Sequence, residues 1–176
     1  HHLRPLLEAA ELHALRVEPE RGALALDDRV GRYFALWTGA DRATVPIPDL
    51  LAHCSGLPAH RPFYERFEGR AAFEGAICAT PLEYVPRARA VYSDLGFMLL
   101  GFLLEDLSPL SAQFDAMRVQ MGNIQELQFH PPQAWVKRTA PTQEKAFRGG
   151  LVVGAVDDDN AWALGGAAGH AGLFGT

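Results

Sequence analysis

The chain has 176 residues, 48% hydrophobic and 21% charged, enough for one packed domain or a large part of a bigger one. Plentiful apolar residues and the lack of any low-complexity tract exclude disorder, collagen and coiled coil. Sixteen Lys and Arg against 21 Asp and Glu leave a net charge of −5 without a basic run, so no nucleic-acid partner is expected.

In chain order, Pro5 to Leu15 places Leu6, Leu7, Ala10, Leu12 and Leu15 among charges, the pattern of an amphipathic helix. The chain opens His1-His2-Leu3 with no Met, charged n-region or apolar stretch, which reads as a removed leader, an excised piece or an added His pair. Asp27-Asp28-Arg29-Val30 offers an Asp to cap a short helix running to Phe34. Pro48 to His53 reads as another short helix, with Asp49 in its first turn and Gly56 positioned to end it. A helix is predicted over 67–79, weakened by Gly69 and Gly75. Ser93 is a good N-cap for a helix over 94–107, with Leu95, Leu99, Phe102 and Leu103 as its inner stripe. Its run Leu95 to Leu104 is too short for a membrane span, which needs about 20 residues. Ser111 should cap a helix to about Met121, and the chain turns irregular after Pro131-Pro132. Strands are predicted at Leu151 to Val153 and Gly169 to Phe174. Helices first and strands afterwards give an α+β class, not a βαβ sheet. Cys54 and Cys78 sit in apolar, helix-like surroundings and read as two buried free thiols.

Three segments could carry chemistry. In Tyr92-Ser93-Asp94, a phenol at a helix entrance sits near the positive end of the dipole, which lowers the cost of a phenolate and suits a proton shuttle. The plainer alternative is that Ser93 caps the helix while Tyr92 packs against the core. In Gly165 to Gly172, small residues leave His170 without bulky cover, so its imidazole should face a cleft or solvent. Extended backbone at Ala171-Gly172 could supply an N–H to an oxyanion; the alternative is a Gly-rich turn with an incidental His. Asp157-Asp158-Asp159-Asn160 lacks the calcium-loop spacing and reads as a solvated turn capping a short helix. The seven His show no zinc-type pairing at helical spacing, and His53 and His60 flank a turn, so neither a metal nor any other cofactor is expected.

Four segments in order carry a resemblance: Gly22-x-Leu24-x-Leu26-Asp27-Asp28-x-Val30; Leu50 to Pro58; Tyr92 to Gly101; and Gly169-His170-Ala171-Gly172-Leu173-Phe174. The series resembles the serine β-lactamase-related family of class C β-lactamases, penicillin-binding-protein-like peptidases and related esterases. The resemblance implies a helical region plus an antiparallel sheet, with Ser-x-x-Lys, Tyr-x-Asn and Lys-Thr-Gly or His-x-Gly motifs meeting in one cleft. It implies acyl transfer to water on an ester, amide or β-lactam through an acyl-enzyme, with no cofactor. Carried over, Tyr92 resembles the shuttle Tyr, Asp94 stands where Asn is usual, and His170 with Gly172 resembles the third motif. Tyr92 and His170 should then border one hollow.

The chain departs from the pattern in its serines. Ser55, Ser93, Ser108 and Ser111 are the only ones, and none is followed by Lys three residues later. The expectation is one partial domain over 1–176, helical to about 130 and starting its sheet at about 150. Either the nucleophile-bearing portion is absent from this chain or this copy is inactive. The resemblance implies a small acyl or peptidoglycan-like ligand, a periplasmic or secreted setting, and self-association through open sheet edges. Two alternatives are a non-catalytic relative that binds such a ligand, and a structural helical domain. Asp94 also puts an anion in place of an amide, which disfavours an anionic ligand beside it.

Overall fold

The computed structural model describes residues 24–122 and 124–175, so the helix predicted over 5–15 lies outside it. Among the described residues the first helical turn is a 3₁₀ helix, Val30–Arg32, shorter than the capped helix predicted to reach Phe34. Asp28 does not cap it through an N–H of the helix. Its carboxylate accepts from the Ala25 N–H at 3.1 Å, from the Arg32 guanidinium and from the Tyr33 hydroxyl, pinning the turn while Val30 and Phe34 go inward.

Helix α1, Ile47–Leu51, carries Pro48 and Asp49 in its first turn, as predicted. It stops earlier than Gly56, because His53 itself takes a left-handed φ of 56°. Helix α2, Arg70–Ala79, begins only after Gly69, and turns Phe73, Ile77 and Cys78 inward. Helix α3, Asp94–Glu105, is capped as predicted, the Ser93 hydroxyl accepting from the Gly96 N–H at 3.3 Å. The stripe predicted for α3 is too narrow: every residue from Leu95 to Leu104 is buried, so α3 is the central rod of the core. Leu50, Leu57, Phe73 and Ile77 pack in the same cluster.

Helix α4, Leu110–Gln120, starts from Pro109 without a side-chain cap, so Ser111 is a helical residue and not its cap. It turns 85° from α3, and no single helix among the described residues is long and apolar enough to cross a membrane. Strand β1, Leu127–Phe129, was not legible in the sequence. Strands β2, Glu144–Lys145, and β3, Gly150–Leu151, form a short antiparallel hairpin. Helix α5, Asp159–Ala163, follows. Strand β4, Leu173–Gly175, pairs antiparallel with β1 in the register Leu127 to Gly175 and Phe129 to Leu173.

Both predicted strands are therefore cut back. Val152 lies outside the regular strand yet still donates to the Gln143 carbonyl at 2.9 Å and accepts from the Thr142 N–H at 3.0 Å, and Gly169-His170 is a turn closed by a bridge between Ala168 and Ala171. The α+β class holds, but the order of helices and then strands is broken by α5, which lies between β3 and β4. One close approach fixes the late segment on the helices. A Cβ built on Gly169 would lie 2.1 Å from the Phe97 carbonyl oxygen, and one on Gly101 would lie 2.8 Å from the Gly169 nitrogen. Only two glycines allow this loop to seat directly on α3. Cys78 is buried and free, its thiol pushed up to about 11 chiefly by burial, while Cys54 is free but only partly buried, against expectation.

Candidate functional site

The entrance of α3 is built by two backbone stretches lying side by side. The Val91 N–H donates to the His53 carbonyl at 2.9 Å, and the Asp94 N–H to the Ala59 carbonyl at 2.9 Å. Between them the Ser93 N–H donates to His53 Nδ1 at 3.1 Å, and the Ser93 hydroxyl to the Pro58 carbonyl at 2.7 Å. The turn over 53–60 thus satisfies the polar groups that precede the helix and leaves Tyr92 facing outward. The Tyr92 ring lies 4.6 Å from the His53 ring, which stacks in turn on Phe97 at 4.7 Å and 21°. Tyr92 is 42% exposed. It is held on one face and open on the other, which is not the buried packing of the plainer alternative.

Asp94, the first residue of α3, places Oδ2 3.4 Å from His60 Nδ1. Asp158 approaches from the other end of the sequence: a donor atom of each of His60, Asp94 and Asp158 lies within 4.8 Å of the other two. Asp158 caps α5 by accepting from the Ala161 N–H at 2.7 Å, the capping role predicted for that acidic run. It also accepts from His170 Nε2 at 2.8 Å. Burial alone would raise the Asp158 carboxyl. The hydrogen bond and charge of His170, the Ala161 N–H and the charge of His60 outweigh it and hold the group below its ordinary value.

His170 corrects its prediction. Its side chain is 2% exposed and stands behind Asp158, not toward solvent, and its Nδ1 is buried without a hydrogen-bond partner. Gly172 corrects the expected extended backbone. It takes a φ of 119°, and a Cβ there would meet the Gly166 carbonyl oxygen at 2.1 Å, so it closes the turn that leads into β4. Contacts through Asp94 and Asp158 bring the 92–94 and 170 segments to one region of the molecule, with Gly172 two residues further along. The Asp157 to Asn160 run is less solvated than predicted. Asp159 binds Lys145 at 2.8 Å and Arg148 at 3.0 Å, cations only 10% and 3% exposed.

Sequence reasoning missed four contributors: His53 under Tyr92, His60 and Asp158 beside Asp94, and Asn160. The fully buried Asn160 amide donates to the Arg61 carbonyl at 2.8 Å and accepts from the Tyr64 N–H at 3.0 Å, tying 60–64 to α5. The His pair was seen to flank a turn, and Asp158 to cap a helix. Their meeting depends on contacts between distant segments that no local spacing encodes.

The family model described as beta-lactamase matches residues 17–176. An Escherichia coli K12 protein named "Putative D-alanyl-D-alanine carboxypeptidase" is 29% identical over 190 residues, covering 92% of this chain and 44% of that protein. A class C beta lactamase from Rhodobacter sphaeroides superposes with a TM-score of 0.67 at 20% identity, over 97% of this chain and 45% of its own. A beta-lactamase/D-alanine carboxypeptidase from Pseudomonas syringae gives 0.64 at 16% identity, over 97% of this chain and 44% of its own. These likenesses show a β-lactamase/transpeptidase-type fold. The chain spans less than half the length of these relatives.

Proposed function

Because this chain belongs to the beta-lactamase family, we propose that it contributes the proton-transfer side of a serine-hydrolase cleft, with Tyr92 as its working group. The observation that carries this reading is the exposure of Tyr92 on a His53–Phe97 stack. In its phenolate form, Tyr92 can take the proton from an attacking serine hydroxyl, becoming the phenol, and give that proton to the leaving group as the acyl-enzyme forms. Water then releases the acyl group by the reverse proton traffic. Asp94, two residues on, opens α3 and faces His60. His170, closed off from solvent, acts through Asp158 as a positioning residue, and Gly172 shapes the turn that carries it.

Ser55 and Ser93 are buried, and no serine of this chain has Lys three residues on, so the reading assigns the nucleophile to none of them. The substrate class proposed is a peptide ending in D-alanyl-D-alanine, taken from the carboxypeptidase names of the relatives, bound with its terminal carboxylate away from Asp94, and with esters and β-lactams as chemical cousins. The test is release of D-alanine from such a peptide by the full-length protein. Tyr92→Phe should cut the rate by about 10²-fold or more while leaving the thermal melt in place. An unchanged rate removes Tyr92 from the mechanism.

A second reading, ligand binding without turnover, is favoured by Asp94 standing where the family carries Asn. Incubation with a fluorescent penicillin followed by intact mass separates the two. A covalent adduct supports the enzyme; saturable binding without an adduct supports the binding protein.

A further inference from the structure

We propose that His60, Asp94 and Asp158 form a binding site for a divalent transition-metal ion of the zinc class. Each supplies one donor, an imidazole nitrogen or a carboxylate oxygen, and the three donors lie within 4.8 Å of one another. The 3.4 Å between His60 Nδ1 and Asp94 Oδ2 is long for a hydrogen bond. It equals the edge of a tetrahedron whose metal–ligand bonds are about 2.1 Å. One imidazole with two carboxylates suits zinc and its neighbours, whereas calcium and magnesium take six or more oxygens. Two carboxylates this close repel, and a dication between them removes that repulsion.

The donors are also held and approachable. Asp94 is fixed by its N–H to the Ala59 carbonyl and by its place in α3. Asp158 is fixed by the Ala161 N–H and by His170, whose side chain is 2% exposed and whose Nε2 donates at 2.8 Å. A buried imidazole that orients a ligating carboxylate is the outer layer metal sites use. His60 is 48% exposed at its side chain, which gives an ion a way in and leaves a fourth position for water. The three residues come from the 53–60 turn, the start of α3 and the cap of α5, so their spacing in sequence carries no metal signature. The site stands on this geometry whether or not the acyl-transfer reading holds.

The test uses the full-length protein, stripped with chelator and exchanged into metal-free buffer, with Co²⁺ and Zn²⁺ as probes. Calorimetry should give one ion per chain, and Co²⁺ should show the visible absorption of four-coordinate cobalt. His60→Ala, a change at a half-exposed side chain, should weaken binding by about 100-fold or more. His170→Gln should weaken it by about 10-fold, the loss typical of an outer partner. Replacing His1 and His2 by Ala should leave the affinity in place. No binding, an affinity that survives His60→Ala, or one lost with His1 and His2 would overturn the proposal.

Discussion

Asp158 accepts the Ala161 N–H that starts α5, accepts from His170 and faces Asp94, so one carboxylate couples a helix end to two distant segments. Its folded-state pKa lies below the ordinary value because His170, Ala161 and His60 together outweigh the effect of burial. A depressed carboxyl stabilises the fold fully above its unfolded pKa, near 4, and loses that contribution as pH falls through the lowered value. Asp158→Asn should therefore destabilise by about 1–3 kcal/mol at pH 7. The gap from the parent should narrow at pH 3, as read from urea unfolding at the two pH values. A gap of equal size at both would show that the ionised carboxylate is not the source. At this scale the sequence was partly legible. Ser93 as a cap and Tyr92 at a helix entrance follow from local chemistry, whereas the partners His53 and Asp158 come from elsewhere in the chain. The exposure of His170 differs from the expectation because small sequence neighbours say nothing of the distant Asp158 carboxylate that the imidazole meets.

Helix α3 was plain in the sequence: its apolar run and its Ser cap agree, and its burial on all sides matches the lack of any charge between Leu95 and Leu104. The strands were not plain. β1 is three residues long and gains its identity only by pairing with β4. The seating of the 166–172 loop on α3 rests on the Gly101–Gly169 approach. Gly169→Ala should cost about 3 kcal/mol, since the new methyl meets backbone that has nowhere to move. A thermal melt unchanged by that substitution would contradict the packing. The β2–β3 hairpin is held to α5 by Asp159, which neutralises two nearly buried cations. Asp159→Ala leaves Lys145 and Arg148 without that partner and should cost about 3–5 kcal/mol by chemical denaturation. Replacing Asp157, which is more exposed, pairs with Lys145 only at 3.7 Å and otherwise accepts from the Thr142 hydroxyl at 2.7 Å, should cost clearly less.

For the whole molecule, the order of four short segments pointed to the family before any contact was known, and the family match over residues 17–176 agrees with it. Order along a chain survives when individual spacings drift, because each segment keeps its own packing duty. Asp27-Asp28 anchors a turn, the 53–60 turn wraps the entrance of α3, and the glycines before β4 let a loop sit on a helix. What order does not encode is which side chains face one another, and here that includes the grouping of His60, Asp94 and Asp158. The account as a whole depends on Tyr92 bordering the bound acyl ligand. The most direct measurement is a crystal structure of the full-length protein soaked with a penicillin. The account predicts ligand density with a polar atom within about 3.2 Å of the Tyr92 hydroxyl. Ligand bound at full occupancy on a surface remote from Tyr92 would contradict it.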